Sequence, residues 1–546
     1  MDYKISGNIV DVHTGEIFPG VLTIADGVIS SVERNEVKYT NFIMPGLVDA
    51  HIHIESSMLV PSTFAGVAVK HGTVATVSDP HEIANVLGTA GVDYMIENGK
   101  SVLFKFFFGA PSCVPATTFE TSGSMIDAET TGTLLKRPDI FYLSEMMNFP
   151  GVIHGDPQVH EKIAWATFTN KPVDGHAPGL RGEDLKTYVN SGISTDHECS
   201  SYEEAIEKIK LGMKILIREG SAAKNLNALK KLISEFPSEV MLCSDDLHPD
   251  DLARGHLNLL VKRLLAEKFD FFNILRAITV HPVTHYKLPV GLLRKGDRAD
   301  FIVVDNLSDF NILGTYIDGE KVYDQKEVLL PFQEPVAINN FNVNPVEIAD
   351  LNIPDQQKNV RCIVAKDGEL VTDQKEISPE RAGGMLISST EKDFLKIAVL
   401  NRYDGKSKPV MGFIQGFGLK KGAFASSIAH DSHNIIAVGT NDQDLAAAIN
   451  LVIKNKGAVV AVNQEEQRAM PLDVAGIMSS ADAKTVAEGY EAVNKMVKKL
   501  GCPLKAPLMT LAFMALLVIP DLKIGDKGLF DVNKFNFTSL YVESKE

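Results

Sequence analysis

A chain of 546 residues is too long for one hydrophobic core, so a large domain and at least one more are expected. With 45% hydrophobic and 23% charged residues it has the make-up of an ordinary globular protein, and its net charge of −16 argues against nucleic acid or an anionic membrane as partner. Its 5 cysteines, an odd number without a CxxC pair, exclude a cysteine-rich zinc site and fit reduced thiols in the cytoplasm.

The opening MDYKISGNIVDVHTG has no basic or apolar leader pattern, so no signal peptide is expected. Residues 3–40 alternate short β-like runs with Gly, Asp and Asn turns, which reads as a small antiparallel sheet. Such a sheet is too small to hold a core alone. Residues 296–324 offer its partner: a strand and a hairpin with an Asp-Gly turn. One small β-sandwich domain is therefore expected to be split, residues 1–45 plus 290–345, around an insert at 46–289.

Phe42 to Val48 is a short apolar run broken by Pro45-Gly46, the pattern of a buried strand. His51 and His53 follow at spacing two, which puts both imidazoles on one face of a strand, aimed at one point. Alone, that pair is a weak sign of metal, since two surface histidines at a strand end have the same spacing.

The insert carries eight strand candidates: 46–52, 73–78, 102–109, 140–144, 173–175, 193–195, 214–217 and 239–244. Helical patterns such as 203–211 and 222–236 lie between them. Eight alternations over this length fit an α/β fold of the (β/α)8 TIM-like barrel type. Periodicity does not separate that from an open doubly wound sheet; the count of eight and the location of polar residues favour the barrel. Those residues fall at strand ends: Asp79-Pro-His81-Glu82, Glu145, Asp174-Gly-His176, Asp196-His197-Glu198, Arg218-Glu219 and Asp245-Asp246-Leu-His248. Barrel enzymes build their active sites at that rim from several strands.

Together, six of these residues suit a two-metal site. His51 and His53 would bind one ion, His176 and His197 the second, Glu145 would bridge, and Asp245 would bind the first while touching the shared solvent. Two divalent ions about 3.5–4 Å apart lower the pKa of a shared water and hold it as hydroxide. Asp245 would then act as general base and afterwards as general acid toward a leaving nitrogen.

The HxH after strand one, the single histidines after strands five and six, the aspartate after strand eight and the split β domain resemble the amidohydrolase superfamily. Within it, PGLVDAHIHIESSM, VSDPHEIANVLG, LSEMMNFPGV, VDGHAPGL, STDHE, IREGS, CSDDLHP and AHDSHNIIAVG closely resemble the bacterial adenine deaminase family over nearly the whole chain. The resemblance implies hydrolysis of adenine to hypoxanthine and ammonia in purine salvage. It also implies two divalent ions, Mn2+ or Fe2+ preferred and Zn2+ a third option. The partners expected are adenine and water, with no nucleic acid or membrane, in a cytoplasmic homo-oligomer. Many superfamily members bridge their metals with a carboxylated lysine after strand four; here Glu145 stands there, and Lys105 is the one nearby lysine to weigh. A cyclic-amide hydrolase of the hydantoinase or dihydroorotase kind, and a metal-free scaffold of the same fold, are the alternatives.

Further candidates carry two readings each. His81 and Glu82 either contact substrate or cap the next helix. Arg218 and Glu219 either bind substrate edges or form an ion pair that structures the rim. Asp246 and His248 are expected to orient the ligands, and His248 is also a candidate to meet substrate. His281 and His285, after the barrel, are expected to pack or cap.

Residues 350–546 read as a separate α+β domain, with strands at 361–364, 435–438 and 458–462, an amphipathic helix at 442–454 and a buried helix at 508–519, too short to span a bilayer. Its Gly-rich stretch lacks the phosphate-loop pattern. The cluster His430, Asp431, His433, Asn434 is expected to be a polar turn entering the strand at 435 rather than a second metal site.

Overall fold

The computed structural model describes residues 2–221, 223–367 and 369–543, in two compact units. The first comprises residues 2–81, 93–113 and 127–334; the second, 82–92, 114–126 and 335–543.

In the first unit, β1 (Tyr3–Asp11), β2 (Glu16–Ala25) and β3 (Val28–Arg34) form an antiparallel meander, and β4 (Phe42–Pro45) joins β1 in parallel, with Asn8 opposite Phe42. One residue beyond, at Gly46, the chain leaves this sheet and enters the barrel.

The barrel strands are β5 (Leu47–His53), β6 (Thr73–Ser78), β7 (Lys105–Ala110), β8 (Ile140–Met146), β9 (Val173–Gly175), β10 (Thr195–Asp196), β11 (Lys214–Arg218) and a broken last strand, β12 (Val240–Cys243) and β13 (Asp245–Asp246). Parallel pairing runs β13-β5-β6-β7-β8-β9 and β10-β11-β12. The two arcs join where the Ser194 N–H donates to the Val173 carbonyl at 3.0 Å. Closure falls on β13, whose Asp245 and Asp246 lie opposite Ile52 and His53 of β5. The fold is thus the closed (β/α)8 barrel and not an open sheet. Two short helices, Leu226–Leu229 and Leu232–Glu235, replace the single one expected there, because Ile233 and Ser234 donate three residues back, to Lys230 and Lys231, and tighten the turn between them.

The chain then returns to the first sheet with β14 (Phe301–Val304), β15 (Ile312–Ile317) and β16 (Glu320–Tyr323); β14 lies antiparallel to β4, Val303 opposite Ile43. The seven strands share a core of Ile9, Leu22, Ile24, Ile43 and Phe301. Lys105, at the start of β7, donates to Asp300 at 2.6 Å and Asp318 at 2.9 Å, tying the barrel floor to this sheet. That places it at the end opposite the rim.

The second unit holds an eight-stranded, mostly antiparallel sheet that includes Val360–Val364, Ile435–Gly439 and Ala458–Val462. The helix Asp442–Asn455, capped by Asn441, lays Leu445, Ile449 and Val452 against it. The apolar segment near 510 is a helix, Pro507–Ala512, ending in a 3-10 turn, Phe513–Ala515. Residues 430–434 form the turn into the strand at 435, and there His430 Nδ1 lies 2.7 Å from Glu82 Oε1 while His433 contacts the other oxygen of that carboxylate. No helix among the described residues is long and apolar enough to cross a membrane.

Candidate metal centre

Spacing of two at the end of β5, beyond a bulge between Asp49 and Ile52, puts His51 and His53 on one face, toward Glu145 and Asp245. The His53 Nδ1 faces the Asp79 carbonyl at 3.3 Å. Donation there keeps the proton on Nδ1 and turns Nε2 inward, the usual orientation of a metal-binding histidine. Around His53 Nε2 stand Glu145 Oε1 at 3.2 Å and Asp245 Oδ1 at 3.4 Å; His51 Nε2 is 3.7 Å from the same Asp245 oxygen.

Glu145, from the end of β8, is the hub. Its Oε2 lies 2.6 Å from His176 Nδ1 and 3.1 Å from His197 Nε2, while Oε1 faces His53. One carboxylate therefore reaches the histidines of both pairs. The six residues named for two metals come together with 2.6–3.7 Å between facing atoms, five buried and His176 half-buried.

Two observations bear on whether divalent ions fit. Neither ring nitrogen of His51, a fully buried residue, has a hydrogen-bond partner, and neither does His176 Nε2. Orphaned imidazole nitrogens at such depth are costly unless a cation takes the lone pair. The second observation is charge. Burial would raise the Glu145 carboxyl, but His197 and His176 pull it well below its usual range. Burial likewise opposes ionisation of Asp245, and Arg218, then His53, outweigh it. Burial would lower His53 and His197, yet the carboxylates hold both well above the usual imidazole range, while burial beside His197 and His53 keeps His51 neutral. Protons on the imidazoles thus balance the carboxylates, and divalent cations would take over that role. The donor set is imidazole and carboxylate without thiolate. The residues fit.

The remaining candidates are distributed unevenly. His81 opens a helix, accepts orientation from Asp79 (Nδ1 to Oδ2, 3.0 Å) and stands 3.6 Å from Glu145 Oε1. Glu82, the next residue, belongs to the second unit, against His430 and His433. Arg218 is an ion-pair residue bound to Glu198 and Asp245. Glu219 pairs with Arg263 at 2.9 Å. The His248 N–H donates to Ser221 at 2.8 Å, and Asp246 accepts from Ser56 at 2.5 Å. His281 and His285 do pack, at 2.8 Å from the Val240 carbonyl and 3.4 Å from Ser194.

Two residues at the site carry more than the motif reading gave them. Glu198 Oε1 lies 3.4 Å from His197 Nε2 and 3.7 Å from His176 Nδ1. Asp49, under the histidine pair, accepts from Ser244 N at 3.0 Å and Oγ at 2.5 Å and lies 2.8 Å from His256 Nε2.

Comparison with known proteins gives the site a lineage. The amidohydrolase family matches residues 42–322, and the adenine deaminase C-terminal domain matches residues 369–536. Adenine deaminase of Methanosarcina acetivorans is 54% identical over 99% of this chain and 100% of its own length; that of Salinibacter ruber is 49% identical over 99% of both. Among solved structures, a β-aspartyl dipeptidase of Fervidobacterium islandicum covers 61% of this chain and 99% of its own, at 14% identity and a TM-score of 0.47. With one family spanning half the sequence and relatives matching about every second position from end to end, the chain belongs to the amidohydrolase family, in its adenine deaminase branch.

Proposed function

We propose that this chain hydrolyses adenine to hypoxanthine and ammonia. The observation that carries the reading is the buried Glu145 carboxylate set between two histidine pairs with Asp245 beside it, in a chain about half identical to adenine deaminases along its length. His51, His53 and Asp245 would hold one divalent ion, His176 and His197 the other, and Glu145 both. Bound there, the pair lowers the pKa of water and supplies a nucleophile at neutral pH. Manganese or iron is proposed ahead of zinc; the imidazole and carboxylate donors suit all three, and the preference follows the family resemblance.

The chain's own groups do the rest. Asp245 takes a proton from the attacking water as the bond to C6 forms, then delivers it to the exocyclic nitrogen. The C6–N6 bond breaks, ammonia leaves and the ring keeps the oxygen, so water and adenine balance hypoxanthine and ammonia. His81, fixed by Asp79, is proposed as a substrate contact. Burial of the cluster keeps bulk water from competing and strengthens each charge interaction. The barrel, residues 46–289, carries this chemistry. A cytoplasmic homo-oligomer completes the proposal; the five buried free cysteines agree with a reducing compartment.

The test is ammonia release from adenine by protein purified with manganese and without iron. Release that is abolished by chelation and by Asp245→Asn supports the reading. Silence on adenine from protein holding two ions per chain overturns the substrate, and turnover of a cyclic amide by the same sample would replace it.

A further inference from the structure

Asp245 works only if its carboxylate points inward, yet its own backbone does not favour order. It sits at φ +57°, in the left-handed region that a residue with a Cβ adopts at a cost. Something outside the residue must hold it. Ser244, locked to Asp49, fixes the backbone on one side. The side chain is fixed from the other.

Arg218, 6% exposed at the end of β11, donates from Nη1 to Asp245 Oδ2 and to Glu198 Oε1 (2.5 Å), and from Nη2 to Glu198 Oε2 (3.0 Å). Its Nε donates to the Ala223 carbonyl at 2.8 Å. The loop that carries it is pinned to the last strand: Glu219 N–H donates to the Cys243 carbonyl at 3.2 Å and Ser221 N–H to the Asp246 carbonyl at 2.7 Å. Gly220 lies so close to that strand that a Cβ would meet the Ser244 and Asp246 carbonyl oxygens at 2.2 and 2.3 Å.

We infer that Arg218, braced by the bidentate grip of Glu198, is the positioning residue for Asp245: it holds Oδ2 and so aims Oδ1 at His51 and His53. A planar fork suits this task because it reaches two carboxylates at once in fixed geometry; a lysine ammonium is a single movable point. A role for Arg218 at a substrate edge is disfavoured by its donors, since all three guanidinium nitrogens already have protein acceptors. The inference rests on the deaminase reading for Asp245's task, though not for its geometry.

The test uses Arg218→Met, Arg218→Lys and Glu198→Gln in the full chain, loaded with Mn2+ for kinetics and with Co2+ for visible spectroscopy. Misaiming a catalytic group by about 1 Å costs about 100-fold, so R218M should lose about that in kcat, with KM moving less than about threefold. R218K should recover part of the loss. The Co2+ absorption spectrum, which reports ligand geometry, should change in R218M and less in R218K. If R218M does not fold, E198Q decides: a fall in kcat with an altered Co2+ spectrum supports the role, and wild-type values of both overturn it. A rise in KM alone, or an unchanged Co2+ spectrum, overturns it as well. Should the wild type be silent on adenine, the deaminase reading fails, and the spectra still decide whether Arg218 aims Asp245.

Discussion

Asp49 offers the sharpest test of how the barrel closes. Its carboxylate is fully buried and accepts the Ser244 N–H at 3.0 Å and hydroxyl at 2.5 Å, with His256 Nε2 at 2.8 Å. The Ser244 hydroxyl can rotate elsewhere if that carboxylate is removed. The Ser244 N–H cannot, and the His256 ring is held from behind by Thr73, whose Oγ1 lies 2.7 Å from Nδ1. Asp49→Ala therefore strands two backbone donors where water does not reach, the N–H groups of Ser244 and of His51 (3.3 Å from Oδ1), and leaves the His256 ring only the Ser244 hydroxyl at 3.4 Å. At about 1–3 kcal/mol for each stranded group, plus a small cavity, the change should cost about 3–5 kcal/mol. For a domain of this size about 1 kcal/mol moves the melting temperature by roughly 2 °C, so a drop of about 6–10 °C is expected in metal-stripped protein, followed by scanning calorimetry. Adding Ser244→Ala should cost little more, because the two residues share one network, with a coupling of about 1–3 kcal/mol. A melting temperature unchanged within about 2 °C would refute the argument that this seam carries stability.

Glu145→Gln removes the carboxylate that reaches both histidine pairs, so metal retained per chain after desalting should fall, read by plasma emission spectrometry, and ammonia release should drop by about 100-fold or more. Lys208, fully buried, joins Asp196 (3.0 Å) to Glu204 (2.8 Å); Lys208→Met leaves two carboxylates without their cation and should cost about 3–5 kcal/mol, seen as poor soluble yield or a lowered melting temperature. His285 is lowered to about 4 by burial and then by Lys214. It stays neutral in the fold while an unfolded chain would protonate it near 6.5, so its contribution to stability is complete above pH 6.5 and is lost as pH falls toward 4. Its full size is about 3 kcal/mol, and His285→Gln should flatten the decline in melting temperature across that window.

Much of this could be seen in the residues themselves. Strand two of the barrel, residues 73–78, stands where its apolar run placed it, because a short buried strand between polar turns leaves few other options. The rim histidines were legible for the same reason: a period of two on β5 admits only one inward face. What stayed hidden depends on contacts between distant segments. Asp49 looks like any residue before a histidine pair until Ser244 and His256, roughly 200 residues later, are seen on it. Arg218 could equally be written as a substrate contact or an ion pair, and only the positions of Glu198 and Asp245 show which groups its nitrogens meet. Glu82 shows the limit most clearly. It adjoins His81 in sequence, yet its carboxylate is engaged by His430 and His433, a pairing no local pattern announces.

The seam at β13 also sets a schedule. His51 and His53 leave the ribosome roughly 200 residues ahead of Asp245, an interval of roughly 10–40 s at ordinary rates of synthesis. Throughout that time the growing chain displays a histidine pair able to catch a stray ion, but with neither Asp245 nor the strand that seats it. Loading of the finished centre therefore belongs to the end of the barrel's assembly, and a chain released before residue 245 keeps the recognisable motif without the means to hold its metal correctly.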